Sequence, residues 1–160
     1  MKTELKFDKV KEEKVKFLEQ NRKIVLATSL NNRVTARTVA YASEGLTIIF
    51  FTLTNLKKLA QIKANAKVAL CINNVSIEGL AEIVGSPQEE ESKRLMEIYK
   101  KKFPVVSKWW FTRTPELLVF VKVKPTLIVS WVEKDNAPFL EYLDLQNERA
   151  YLTIPWENQE

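Results

Sequence analysis

The sequence predicts a mainly β domain with flanking helices, its strands drawn into a closed or nearly closed antiparallel barrel. Two observations lead there. Short runs rich in Val, Ile, Thr and Phe recur along the chain, set off by turn-forming groups such as Asn31-Asn32 and Ser43-Glu44-Gly45. Helical periodicity is confined to a few segments, so six or seven short strands outnumber the helices, the balance expected of a small barrel. At 160 residues, with 46% hydrophobic side chains, the chain is long enough to bury a core as a single domain over 1–160.

Taken in order, "FDKVKEEKVKFLEQ" places Phe7, Val10, Lys14, Phe17 and Leu18 at helical spacing, with Asp8 as its expected cap. "KIVLATSLNNRVTARTVAY" is a hairpin pattern whose joint, Asn31-Asn32, tolerates positive φ. After the Ser-Glu-Gly turn, the strand Leu46 to Thr52 is apolar on both alternating faces, so both sides should be covered. A helix follows Asn55, then the strand "KVALCI". The next strand, "NVSIEGLAEIV", alternates cleanly, with Val75, Ile77, Ala81 and Ile83 on one face and Ser76, Glu78 and Glu82 on the other. "SPQEEESKRLMEIYKKKF" signals a helix capped by Ser86, with Pro87 first, acids in the opening turn and Lys100 to Lys102 in the last. "ELLVFVKVKPTLIVSWV" gives two strands bent at Pro125, and the tail from Phe139 is ambiguous and ends polar.

Composition removes several kinds of chemistry. The chain has no histidine and one cysteine, so a Ser-His-Asp triad, a Cys-His pair, a histidine metal site, a thiolate metal cage and an internal disulfide are all excluded within it. No metal ligand set is expected, and Cys71 in "VALCI" is expected to be a buried small hydrophobe. A bound cofactor is the more economical source of any redox chemistry. The net charge of +5 is dispersed, and Lys57-Lys58 is not interleaved with stacking rings, which argues against a nucleic-acid partner. No run approaches the roughly 20 apolar residues of a membrane helix, so no membrane partner is expected, and the cytoplasm is the default location.

One helix inverts the usual charge pattern. The segment after Asn55 opens with Lys57 and Lys58 and has no acid before Glu78, although a helix N-terminus carries partial positive charge. Either these lysines are simply solvated, or they converge with backbone N–H groups and Thr52 on a phosphate. Arg37 bears on that choice. On the strand Val34 to Tyr41 it shares a face with Thr35, Val39 and Tyr41, where a half-buried guanidinium needs an anionic partner unless the face is exposed.

These residues carry a resemblance. "VLATSLNNRVTARTVAY", "GLTIIFFTLTNLKKLAQIKANAKVALCI" and "VSIEGLAEIVG", in that order, resemble the pyridoxamine 5′-phosphate oxidase-like family of FMN-binding split barrels from about Lys23 to Pro87. The resemblance implies a six-stranded antiparallel split β-barrel that forms a homodimer, with FMN in a groove between subunits and a small-molecule substrate beside it. It also implies that Arg37, Thr38, Val39 and Ala40 follow the flavin ring and ribityl chain. Phe51 and Thr52 lie beside the cofactor, Lys57 and Lys58 hold the phosphate, with Lys58 the better match, and Asn74 stands where some members place a cofactor-touching Gln.

Three departures qualify the implied activity. Leu56 stands where family members often have a Ser that adds a hydroxyl donor. The C-terminal Arg-x-His element of true pyridoxamine phosphate oxidases has no counterpart in a chain without histidine. The Gly of the first hairpin is replaced by Asn31-Asn32, which serves the same turn. The expected function is therefore an FMN-dependent oxidoreductase of another small molecule, with no side chain assigned a catalytic role. The alternatives are a deazaflavin-dependent reductase or a non-enzymatic flavin- or heme-binding protein on the same fold. Trp109, Trp110 and Phe111 either pack the barrel mouth or an interface, or wall a planar ligand; Trp131 and Trp156 are expected in core or interface first. Glu78 is expected to face solvent.

Overall fold

The computed structural model describes residues 2–157. Ten strands and four helices run in the order β1 (Lys2–Leu5), α1 (Phe7–Gln20), β2 (Lys23–Leu30), β3 (Arg33–Ala40), β4 (Ala42–Glu44), β5 (Thr47–Leu53), α2 (Lys57–Ala64), β6 (Lys67–Ile72), β7 (Val75–Gly85), α3 (Glu90–Lys102), α4 (Pro104–Arg113), β8 (Leu118–Lys134), β9 (Ala137–Asp144) and β10 (Arg149–Thr153). All ten join one antiparallel sheet in the order β1-β10-β9-β8-β7-β6-β2-β3, with β5 pairing the first half of β8 and β4 pairing β5. The sheet curls around a core of Leu26, Tyr41, Ile48, Phe50, Leu70, Ile77 and Val121 without closing. No ladder joins β3 to β5, and the chain crosses that seam through Tyr41 alone.

Six strands were too few. The barrel strands are all present, but a C-terminal extension, β9 and β10, adds to the β8 edge, and β1 completes it. The ambiguous tail supplies that extension, while its polar end, residues 158–160, lies outside the described residues. Pro125 does not split its segment into two strands. β8 runs through it for 17 residues, and the register against β7 shifts there instead, from Glu78 facing Leu127 to Gly79 facing Pro125. Gly79 is required at that shift, because a Cβ would stand 2.8 Å from Val123 Cγ1 and 2.9 Å from the Lys124 carbonyl oxygen.

Other local expectations divide on physical grounds. Asn31 and Asn32 take φ of 50° and 63°, as the hairpin requires. β5 is covered on both sides, by the core through Ile48 and Phe50 and by Leu95 and Tyr99 of α3 on the Ile49 side. Asp8 does not cap α1; Lys6 holds that position without a side-chain bond, and Asp8 sits in the first turn. α3 starts at Glu90, because Ser86 to Glu89 form a turn closed by the Glu89 N–H donating to the Ser86 carbonyl at 3.0 Å. Cys71 is exposed, since β6 turns Val68, Leu70 and Ile72 inward and Lys67, Ala69 and Cys71 outward. Trp131 and Trp156 are also exposed in the single chain, at 52% and 71%. Glu78 faces solvent as expected.

Two fastenings hold the helices to the sheet. Lys14, 9% exposed, donates to Glu141 of β9 at 2.7 Å, a buried pair that fixes α1. At the seam, the fully buried Tyr41 donates its hydroxyl to the Leu18 carbonyl at 2.8 Å, and its N–H reaches the Arg22 carbonyl at 3.1 Å. The Lys102 ammonium lies 4.4 Å from the Tyr41 ring centroid and donates to the Leu18 and Asn21 carbonyls. α1 has no base in its own last turn, so Lys102 supplies the cation its C-terminus favours.

Candidate functional site

β2 and β3 place Arg37 opposite Leu26 on the inner face of the hairpin, where α2 packs across the barrel end. The guanidinium Nη1 donates to the Leu26 carbonyl at 3.2 Å and to Thr28 Oγ1 at 2.8 Å. Nη2 donates to Thr35 Oγ1 at 2.5 Å and reaches Gln61 Oε1 at 3.4 Å. That same Gln61 oxygen accepts the Thr28 hydroxyl at 2.6 Å and the Thr35 hydroxyl at 2.9 Å. Gln61 is 3% exposed and lies on α2, so one amide ties the helix to the hairpin and holds Arg37 between them.

Every acceptor around Arg37 is neutral. The expected anionic partner is not supplied by the described residues of this chain, and burial alone pulls the guanidinium pKa down. A second cation stands beside it. Lys58, half-buried, precedes Gln61 by three residues and therefore shares its helix face. Burial first, and then the Arg37 charge, hold the Lys58 ammonium below the ordinary lysine pKa. Two neighbouring cations in a partly desolvated place repel each other more than they would in water. Two further places in the chain offer unserved donors. The N-cap of α2 is Leu56, which makes no side-chain cap bond, and its first turn contains no acid. Thr52, 4% exposed on the inward side of β5, has an Oγ1 without a hydrogen-bond partner among the described residues. Two cations without a carboxylate and a helix start without a side-chain cap are groups that an anion would satisfy.

The remaining sequence-selected residues are spread around this cluster. Lys57 opens α2 and is exposed. Thr38 is exposed on the outer face of β3, and Ala40 on that face packs toward Tyr99 and Phe103, whereas Val39 turns inward and is only 8% exposed. β3 ends the sheet, so its second edge carries backbone groups with no ladder partner. Phe51 points away from the barrel core into an aromatic cluster, with ring centroids 5.1 Å from Tyr99, 5.1 Å from Phe111 and 6.1 Å from Trp110. Phe111 and Trp110 thus pack the outside of the barrel, while Trp109 stays 47% exposed. Asn74 is not part of the cluster. It sits in the β6–β7 turn and donates to the Trp131 carbonyl, about 16 Å along the sheet from Thr28 at about 3.3 Å per residue. An open cleft of about 670 Å3 begins at that end, lined among others by Arg22, Ala40, Asn73, Tyr99 and Phe103. Burial pushes the Tyr99 pKa up to about 12.

Sequence reasoning missed Gln61, Thr28 and Thr35. The signal available for Gln61 was its place one turn after Lys58, next to the buried Ile62.

Residues 10–132 match the family model of pyridoxamine 5′-phosphate oxidase. Among solved structures, ChuZ of Campylobacter jejuni is similar at 13% identity over 98% of this chain and 68% of its own, with a TM-score of 0.70. General Stress Protein 26 of Bacillus anthracis is 24% identical over 85% of this chain and 98% of its own, with a TM-score of 0.60. An FAD-binding protein of Mesorhizobium loti is 18% identical over 80% of this chain and 95% of its own, with a TM-score of 0.59. At these identities the likeness is one of fold. No curated protein matches the sequence.

Proposed function

The chain belongs to the pyridoxamine 5′-phosphate oxidase family, and on that premise we propose that it is a flavoprotein, binding FMN and serving as an oxidoreductase of a small molecule. The observation that carries this reading is the pair of partly buried cations, Arg37 and Lys58, held together without a carboxylate. A phosphomonoester brings about −1.5 to −2 charges and three acceptor oxygens to such a place. Arg37, Lys58 and the uncapped start of α2 would hold the phosphate, with Lys57 adding a solvent-side charge and Thr52 a hydroxyl. Thr38, Ala40 and the free edge of β3 would meet the rest of the cofactor. Val39 would do so through its backbone, since its side chain is in the core. Phe51 would stiffen the wall from behind.

When bound, the flavin supplies hydride acceptance and donation. The chain's part is to bind and orient it, and to keep the Ala40 end open to a substrate through the cleft beside Tyr99. Vitamin B6 oxidation is not the proposed reaction, because the histidine element that serves it is missing. Heme held by an axial histidine is excluded for the same reason. We further propose a homodimer in the cytoplasm. Its interface would cover the outer sheet face, where Val25, Leu80 and Trp131 are 39%, 47% and 52% exposed beside Cys71. Asn74, at the rim of that face, would reach the partner's cofactor.

The test is the visible spectrum of freshly purified protein, followed by FMN titration. A yellow protein, or FMN binding in the micromolar range or tighter, is the expected result. A colourless protein that ignores FMN at about 100 μM, some 5.5 kcal/mol of binding free energy, would overturn the cofactor.

A further inference from the structure

The corner formed by the end of α3 and by α4 is basic. Between residues 98 and 115 stand Lys100, Lys101, Lys102, Lys108 and Arg113, and no acid. α4 packs one side against the barrel, with Ser107 buried and Phe111 against the Phe51 cluster. Its opposite side mixes apolar and polar side chains, a cation among them. Val105, Lys108, Trp109 and Thr112 recur at the i, i+3, i+4, i+7 spacing of a single helix face, and Val105 is 81% exposed. Val106 and Trp109 are exposed at 48% and 47%. The Arg113 guanidinium lies 5.2 Å from the Trp109 ring centroid, and neither Arg113 nor Lys108 pairs with a carboxylate among the described residues.

We infer that α4 is a docking surface for an anionic lipid membrane, lying in the headgroup plane with Val105, Val106 and Trp109 inserted. Two features select this occupant. The apolar side chains project outward from a helix and flank only a shallow groove, which suits a deformable acyl layer better than a folded partner. They are interleaved with unpaired cations, and an indole beside cations belongs at the boundary between headgroups and chains. Trp109 is the one exposed ring on this face, and Val105 and Val106 beside it give a nucleobase nothing to stack on, whereas a single-strand site uses successive rings. No described helix is long and apolar enough to cross a membrane, but a helix that lies on one needs only an apolar outer face. The expectation of no membrane partner rested on spanning alone. This inference is independent of the flavin reading.

The experiment is co-sedimentation of the full chain with vesicles of phosphatidylcholine alone and with about 30% phosphatidylserine, at about 0.1 M and about 0.5 M salt. The expected result is binding to the anionic vesicles at least tenfold tighter than to neutral ones, and weakened at high salt. Lys108→Gln with Arg113→Gln should cost about 25-fold, at roughly fivefold per basic residue. Val105→Asp should cost at least tenfold while leaving the melting temperature and the sedimentation coefficient unchanged. No binding to anionic vesicles, or binding indifferent to Val105→Asp, would overturn the inference. So would a change of oligomeric state in Val105→Asp, which would make the face a contact between copies of this chain.

Discussion

Replacing Lys58 with Met should move two measured quantities in opposite directions. Methionine keeps the length and apolar stem of the lysine and removes the charge. In the protein without ligand, that ammonium is partly desolvated and stands beside Arg37, both of which disfavour it. Its loss should therefore leave stability unchanged or raise it by up to about 1 kcal/mol, the range of exposed or partly buried charge contacts. Toward a phosphate the same charge is favourable, and a hydrogen bond to a charged group contributes about 1.5–3 kcal/mol, or roughly 10- to 150-fold in affinity. Lys58→Met should weaken FMN by that factor and riboflavin, which lacks the phosphate, by less than about threefold. Flavin fluorescence quenching gives both constants, and urea denaturation gives the stability. The pH dependence follows from the direction of the shift. Because the folded protein binds the Lys58 proton less tightly than the unfolded chain, the penalty holds at neutral pH. It fades as pH rises from the depressed value through the unfolded value of 10.5. Equal losses for FMN and riboflavin, or a variant less stable than the parent without ligand, would refute the anion-receptor argument.

Gln61→Ala removes the acceptor shared by Thr28, Thr35 and Arg37, and should cost about 2–4 kcal/mol of stability along with FMN affinity; a cost under about 0.5 kcal/mol in denaturant would show that the hub carries nothing. Glu141→Ala strands the buried Lys14 ammonium and should cost about 3–5 kcal/mol, whereas the double change to Glu141→Leu and Lys14→Met should recover most of it, as a double-mutant cycle would register. Gly79→Ala drives a methyl into Val123 and the Lys124 carbonyl, so thermal melting should report a loss of about 1–3 kcal/mol. Tyr41 and Tyr99 both have raised pKa values, so their stabilising effect is complete below pH 10 and is lost as pH climbs beyond it; ultraviolet titration at pH 11 should find both still protonated in the folded protein.

The parts of this architecture legible in sequence were those set by local period and turn chemistry. β7 alternates because one face is wet, and Asn31-Asn32 turns because asparagine accepts positive φ. Cys71 was misplaced because "VALCI" is apolar at every position, so period cannot say which face points inward. That choice is made by the pairing of β6 with β2 and β7. The start of α3 was misplaced because Ser-Pro signals a turn as well as a helix. At the site, Arg37 and Lys58 were visible as charges out of place. Gln61 was not, because nothing local announces an amide as a hub until α2 folds over the hairpin from 26 residues away.

The seam at Tyr41 has a consequence for how the molecule opens. Three segments distant in sequence, the end of α1, the β3–β4 crossing and Lys102 of α3, share the Leu18 carbonyl as a common acceptor or rest against the ring that donates to it. None can let go without exposing the bonds of the others. The Tyr41 amide should therefore exchange with solvent only when the whole barrel does, while the amides at the tips of the β2–β3 and β6–β7 hairpins exchange freely. The open seam of the sheet is in this sense its last part to breathe, and the Arg37 cluster on the neighbouring hairpin is held still by a lock it does not touch.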